Sequence, residues 1–161
     1  ILVDAAGFNL DPGDRPAMMR LVTSPLAAWL EPLPGKRLLV EKALREVFHD
    51  QRHVTDERLA EYLAGALRPG GAAARASLLR SLEDRPRAVQ EELPRIEAPT
   101  LVVWGREDTW IPVAHADLFA AAIPGARTAI LDECGHVPQE EKPAELARLV
   151  SDFLAVPAPG R

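Results

Sequence analysis

The sequence predicts an α/β fold, a parallel sheet of short apolar strands joined by helices, with a long helical insert after the first strand. Three observations predict it. Apolar runs at Ile1-Leu2-Val3, Leu101-Val102-Val103-Trp104 and Ala129-Ile130-Leu131 are each short and each lead into a turn. Apolar residues recur at helical spacing between the last two runs and after the third. Residues 16 to about 92 carry no strand pattern. Short strands that alternate with helices imply parallel pairing through right-handed crossovers.

Taken in order, residues 1–7 read as a buried strand ending at Gly7, and Asp11-Pro12-Gly13-Asp14 is a turn cluster. Pro25, Pro32-Leu33-Pro34-Gly35, Pro69-Gly70-Gly71 and Pro86 divide the next stretch into several short helices. One of these has Leu38, Leu39, Ala43, Leu44, Val47 and Phe48 on a broad apolar face. Another follows a Thr55 N-cap, with Leu59, Tyr62, Leu63, Ala66 and Leu67 at helical spacing. Pro99 leads into a strand over 100–104. Pro112 suits a helix start, Ala116, Phe119, Ala120 and Ile123 make one face, and Pro124-Gly125 ends it. A strand over 127–131 follows. Pro143 opens a last helix with Leu146, Leu149, Val150, Phe153 and Leu154 on one stripe, and residues 156–161 read as a frayed tail.

A chain of 161 residues, 47% hydrophobic, suits one globular domain with a core of its own. No apolar run approaches the roughly 18–20 residues that cross a bilayer. A net charge of −5 with scattered basic residues argues against nucleic acid as a partner. The single Cys134 excludes an internal disulfide. No signal peptide is visible and a cytoplasmic location is expected. The first residue is Ile1, inside an apolar run, so a start within a longer protein is also expected.

Chemistry is concentrated in two C-terminal segments. Leu101-Val102-Val103-Trp104-Gly105-Arg106-Glu107-Asp108 and Thr128-Ala129-Ile130-Leu131-Asp132-Glu133-Cys134-Gly135-His136 each run from an apolar strand through a glycine turn to an ionisable residue. An imidazole, whose ordinary pKa is about 6.5, takes and returns a proton near neutral pH. Read alone, His136 could equally cap the last helix, and Asp108 could be a turn aspartate beside Glu107. No nucleophile motif accompanies them: Ser24, Ser77, Ser81 and Ser151 all lack a glycine two residues before or after. Cys134, two residues from His136, sits on no elbow and reads as a small, partly buried thiol.

Residues 99–108 and the run Cys134-Gly135-His136-Val137-Pro138-Gln139-Glu140-Glu141-Lys142-Pro143 resemble the α/β-hydrolase family, and residues 1–8 resemble its sixth strand and the start of its cap. The resemblance implies a partial α/β-hydrolase sheet of three C-terminal strands. Its parts would be a first core strand at 1–10, a helical cap at 11–92, a core segment with the acid and histidine at 93–155, and a tail at 156–161. Strands one to five, the nucleophile elbow and the oxyanion amides would lie outside these residues. Asp108 would orient His136, the general base, in a serine hydrolase acting on a small carboxylic ester or related acyl bond. Asp4 is a rival acid, because some relatives place theirs after strand six. Trp110, Phe8, Trp29 and Val137 are candidate substrate-lining residues, with core packing as the alternative for the aromatics.

No cofactor and no metal are implied. His49 and His53, four apart with Glu46 and Asp50 nearby, have ligand spacing but no third partner, so a solvated helix is the expectation. His115 has no evident partner. In Gln139-Glu140-Glu141 the two glutamates read as acids near the start of the last helix, where they suit its dipole. Expected partners are a small ester-type substrate and either the N-terminal half of the fold or a second copy exchanging a strand, since a cut before strand six leaves an open edge. The isolated chain is expected to be inactive. Two other functions fit the resemblance: an epoxide hydrolase or haloalkane dehalogenase with an aspartate nucleophile, and a short non-catalytic binding module.

Overall fold

The computed structural model describes residues 1–8, 16, 17, 20, 36–66, 68, 71, 74, 77 and 86–155. Their order is β1 (Leu2–Val3), α1 (Lys36–Val47), α2 (Asp56–Ala66), α3 (Pro86–Glu92), β2 (Leu101–Gly105), α4 (Ala114–Ala122), β3 (Arg127–Leu131), α5 (Pro138–Glu141) and α6 (Pro143–Ala155). Short 3-10 turns at Gln51–His53 and Leu93–Arg95 follow α1 and α3.

The sheet is parallel with order β1-β2-β3. Leu2 lies opposite Val102, and Leu101 to Gly105 lie opposite Arg127 to Leu131. β2 is the middle strand, and all five of its residues are buried. Side chains alternate across a strand, so β2 feeds two cores. Val102 and Trp104 pack with Leu93, Ile111, Ala116, Phe119 and Ile123 beneath α4. Leu101 and Val103 pack with Leu131 and Cys134 against Leu146, Leu149 and Phe153 of α6. Trp104 also donates its indole N–H to the Ile111 carbonyl at 2.9 Å, which satisfies the one polar atom that its burial threatens.

The insert makes a third cluster. Leu44, Val47, Phe48 and Leu59 pack together and draw in Val137, with Trp110 alongside. Thr55 caps α2, its hydroxyl accepting from the Arg58 amide at 3.2 Å, and Asp56 and Glu57 fill the first turn, where carboxylates suit the helix dipole.

Two elements depart from expectation. The strand expected over 1–7 is a ladder of two half-buried residues. Asp4 turns to φ +40°, which ends the extended run, although its N–H still reaches the Val103 carbonyl at 3.1 Å. Only one strand covers β1 among the described residues, hence its partial burial. α4 begins two residues beyond Pro112, because Pro112 and Val113 form a lead-in turn whose carbonyls accept from His115 and Ala116. The expected tail, 156–161, lies outside the described residues.

Candidate functional site

Asp108 sits in the turn after β2 and His136 in the turn after β3. Because the two strands are neighbours in register, both turns emerge at the same end of the sheet. Asp108 Oδ2 lies 2.8 Å from His136 Nδ1. Its other oxygen accepts from the Trp110 amide at 2.8 Å and the Ile111 amide at 3.0 Å. The carboxylate side chain has no solvent exposure, whereas the imidazole keeps about a fifth of its surface. A buried carboxylate that accepts three hydrogen bonds is held in one orientation. It obliges the ring to donate from Nδ1, which leaves Nε2 with its lone pair. Nε2 makes no hydrogen bond among the described residues. Trp110 stacks on the imidazole at 5.7 Å and 26°, which fixes the ring plane.

Two glycines let the turns meet. A Cβ on Gly105 would lie 2.1 Å from the Gly135 carbonyl oxygen and 2.4 Å from that of Cys134. A Cβ on Gly135 would lie 2.4 Å from the Val47 oxygen. Glu107 closes the same contact: its amide donates to the Cys134 carbonyl at 3.0 Å and its side chain accepts from the Cys134 amide at 2.9 Å. Glu107 therefore braces the histidine turn, while Asp108 faces the imidazole.

Asp4, the rival acid, lies close by. Its Oδ1 accepts from the Gly105 amide at 2.9 Å, and its Oδ2 is buried with no partner. One ligand atom each from Asp4, Asp108 and His136 fall within 4.8 Å of one another. Burial pushes the Asp4 carboxyl up to about 7; the Gly105 hydrogen bond opposes this and the Asp108 charge adds to it. The native state thus holds a proton that the unfolded chain, with an ordinary value of 3.8, has released. Stability from this group is complete below the unfolded value and declines as pH rises from about 4 to about 7. Asn tolerates a positive φ, so Asp4→Asn is expected to flatten the thermal stability between pH 5 and pH 8. At pH 8 it should raise Tm by about 3 °C, the shift that about 1 kcal/mol gives a chain of this size. Thermal melts of both proteins across that range provide the check.

The remaining expected residues are scattered. Val137 is buried in the insert's cluster, and Trp110 lies between that cluster and His136. Phe8 joins the core on the α4 side, edge-on to Phe119 at 4.8 Å and to His115 at 6.0 Å. A Cβ on Gly7, just before it, would lie 2.6 Å from the same Phe119 ring. Trp29 lies outside the described residues, as do Ser24 and Ser81. Ser77 and Ser151 are exposed on helices and bond to nothing at the site. Cys134 is fully buried, with its thiol pushed up to about 12 mainly by that burial. His53 stacks on Phe48 at 5.9 Å, and neither it nor His49 joins a metal-ligating cluster among the described residues. His115 is buried with Nδ1 unpartnered, and burial lowers its basicity.

The expectation for residues 139–141 is corrected. They form the end of a separate turn, α5, and its two glutamates bridge to the insert. Glu140 pairs with Arg58 at 3.1 Å and accepts from the Tyr62 hydroxyl. Glu141 is buried and accepts from two amides, Gly135 at 2.7 Å and Asp50 at 2.9 Å. Only the short spacing from His136 hinted at this, since the second donor lies 91 residues away. Thr109 is a further link that the sequence did not mark, its hydroxyl donating to the Glu46 carbonyl at 2.8 Å.

Comparison with known proteins gives a consistent set of relatives. Residues 1–149 match the family model described as Alpha/beta hydrolase family. A stretch of 68 residues is 38% identical to a monoacylglycerol lipase of Xenopus laevis, covering 42% of this chain and 20% of that protein. Another of 66 residues is 42% identical to a 2-hydroxy-6-oxo-6-phenylhexa-2,4-dienoate hydrolase of Comamonas testosteroni, covering 41% of this chain and 23% of that one. The solved structure of a hydrolase with the same name from Rhodococcus sp. strain RHA1 has a similar fold, with a TM-score of 0.75 at 18% identity. That match covers 96% of this chain and 54% of the solved one, so the chain spans about half its length.

Proposed function

The chain belongs to the alpha/beta hydrolase family, and from that premise we propose that it supplies the acid and the base of a serine hydrolase cleaving a small carboxylic ester or related acyl bond. The observation that carries this reading is the 2.8 Å contact between a fully buried Asp108 and a partly exposed His136, with Nε2 left unengaged. A serine from a segment outside residues 1–161 would attack the carbonyl, and Nε2 would take its proton. The Nδ1–H bond to Asp108 would stabilise the imidazolium, and the proton would then pass to the leaving alkoxide. Water, activated by the same nitrogen, would release the acyl group. The chemistry needs no metal or cofactor. The insert, read as a cap, would cover the substrate, with Trp110 and Val137 as the lining residues that stand nearest His136.

A second reading concerns substrate alone. The likeness to a 2-hydroxy-6-oxo-6-phenylhexa-2,4-dienoate hydrolase favours hydrolysis of an oxo-dienoate by the same pair. Partners follow from the edge of β1, whose side away from β2 carries no strand among the described residues and beside which Ile1 is half exposed. Such an edge pairs readily, so the N-terminal half of the fold or a second copy is the expected neighbour.

The test uses the protein purified from its natural source. A fluorophosphonate should label one serine outside residues 1–161 and abolish turnover of short-chain nitrophenyl esters. Turnover of an oxo-dienoate but not of esters would select the second reading. Incorporation of solvent oxygen-18 into an aspartate, with no labelled serine, would replace both with an aspartate-nucleophile enzyme. Failure to turn over any of these substrates, with no serine or aspartate labelled, would overturn the proposed reading.

A further inference from the structure

One turn of the insert is laced to the histidine turn. The Val47 carbonyl, at the end of α1, accepts the His136 amide at 2.9 Å. Glu141 takes the Gly135 amide on Oε1 at 2.7 Å and the Asp50 amide on Oε2 at 2.9 Å. Gly135 is pressed so closely to this turn that a Cβ would lie 2.8 Å from the His49 nitrogen, as well as against Val47. Glu141 is 7% exposed and forms no ion pair among the described residues. Among the described residues these two amides are its hydrogen-bond donors, and together they hold the carboxyl in one orientation. A carboxylate is also the one side chain that presents an acceptor oxygen to each of two separate amides, for an amide side chain would turn a donor toward one of them.

We propose that Glu141 is a positioning residue for His136, clamping the 135–136 peptide onto insert residues 47–50 so that the insert and the imidazole are aimed as a unit. The proposal deepens the hydrolase reading and rests on His136 being its general base. The ring is already held by Asp108 and Trp110; Glu141 and Val47 hold the backbone from which that ring projects. A displacement of the insert turn is therefore passed to the imidazole.

The test is Glu141→Gln, followed by amide exchange and by the Nδ1 proton resonance of His136. Exchange at Gly135 or Asp50 should accelerate at least about tenfold, and the Nδ1 resonance should shift or broaden. In the protein that carries the nucleophile, kcat should fall about ten- to a hundredfold with KM little changed, the scale of a small misalignment. Phe153→Ala, which loosens the core behind β2, should leave the Nδ1 resonance in place. If Glu141→Gln does not fold, Asp50→Pro removes only the insert's donor, at a φ of −83° that proline accepts. Asp50→Ala controls for the lost Asp50 side chain. An unchanged Nδ1 resonance with unchanged exchange in the folded variant overturns the proposal. A shifted resonance in a protein without hydrolase activity would instead leave the clamp standing and remove the general-base reading.

Discussion

Asp108→Asn is expected to lower kcat by about four orders of magnitude in the protein carrying the whole hydrolase fold, while leaving the chain folded. The two side chains have the same shape. The Asn oxygen can still accept from the Trp110 and Ile111 amides, which keeps the turn. The change falls on the other atom: an NH2 donor now faces His136 Nδ1, which must turn acceptor. The proton then moves to Nε2, the nitrogen that in the proposed mechanism receives one from the nucleophile. The loss is one of tautomer and not of position, so substrate affinity and thermal stability should change little. Steady-state kinetics together with a thermal melt are the measurement. Activity within tenfold of the parent, with Asp4→Asn inactive, would transfer the role to Asp4.

The second large effect is on stability. Gly105→Ala places a methyl where the Gly135 and Cys134 carbonyl oxygens already sit, more than 1 Å inside ordinary contact. Both obstacles are backbone, and neither strand can yield. β2 is paired on both sides, and the Gly105 amide is fixed by Asp4. The histidine turn must move, which breaks the Glu107–Cys134 bonds and draws His136 from Asp108. Overpacking of this kind costs about 3 kcal/mol or more, and Tm should fall by about 10 °C. Gly65→Ala makes the contrast. It lies inside α2 with nothing within 4 Å of the added carbon, so it should gain up to about 1 kcal/mol from helix propensity. Calorimetry on the pair, with the His136 Nδ1 resonance as the local readout, distinguishes a crowded glycine from a merely flexible one.

These two sites show how far the residues alone could be read. β2 lies within one residue of the apolar run that marks it, because a strand buried on both faces reads as continuous apolar residues; β3, whose first two residues are exposed, spans the expected 127–131. The start of α6 at Pro143 and the Thr55 cap are legible for similarly local reasons. The approach of Asp108 to His136 is legible at one remove: two strand-then-turn segments of a parallel sheet must open at the same end. What escaped depends on contacts between distant segments. The termination of β1 at Asp4 follows from a backbone twist that no pattern marks. Glu141 looks like any acid near a helix start until the 47–50 turn arrives to donate an amide. The edge-on contacts of Phe8 with Phe119 and His115 likewise come from α4, far along the chain.

The burial of Cys134 has a practical consequence. A thiol with no solvent contact and an elevated pKa is inert toward alkylating reagents as long as the turn around it stays closed. It is the chain's sole cysteine, two positions from His136. Alkylation of Cys134 in the native protein must therefore pass through an excursion of that turn. The rate of trapping, divided by that of the unfolded chain, gives the fraction of time the turn spends open. The molecule carries its own clock for the breathing of its histidine turn, readable by mass spectrometry without introducing a cysteine.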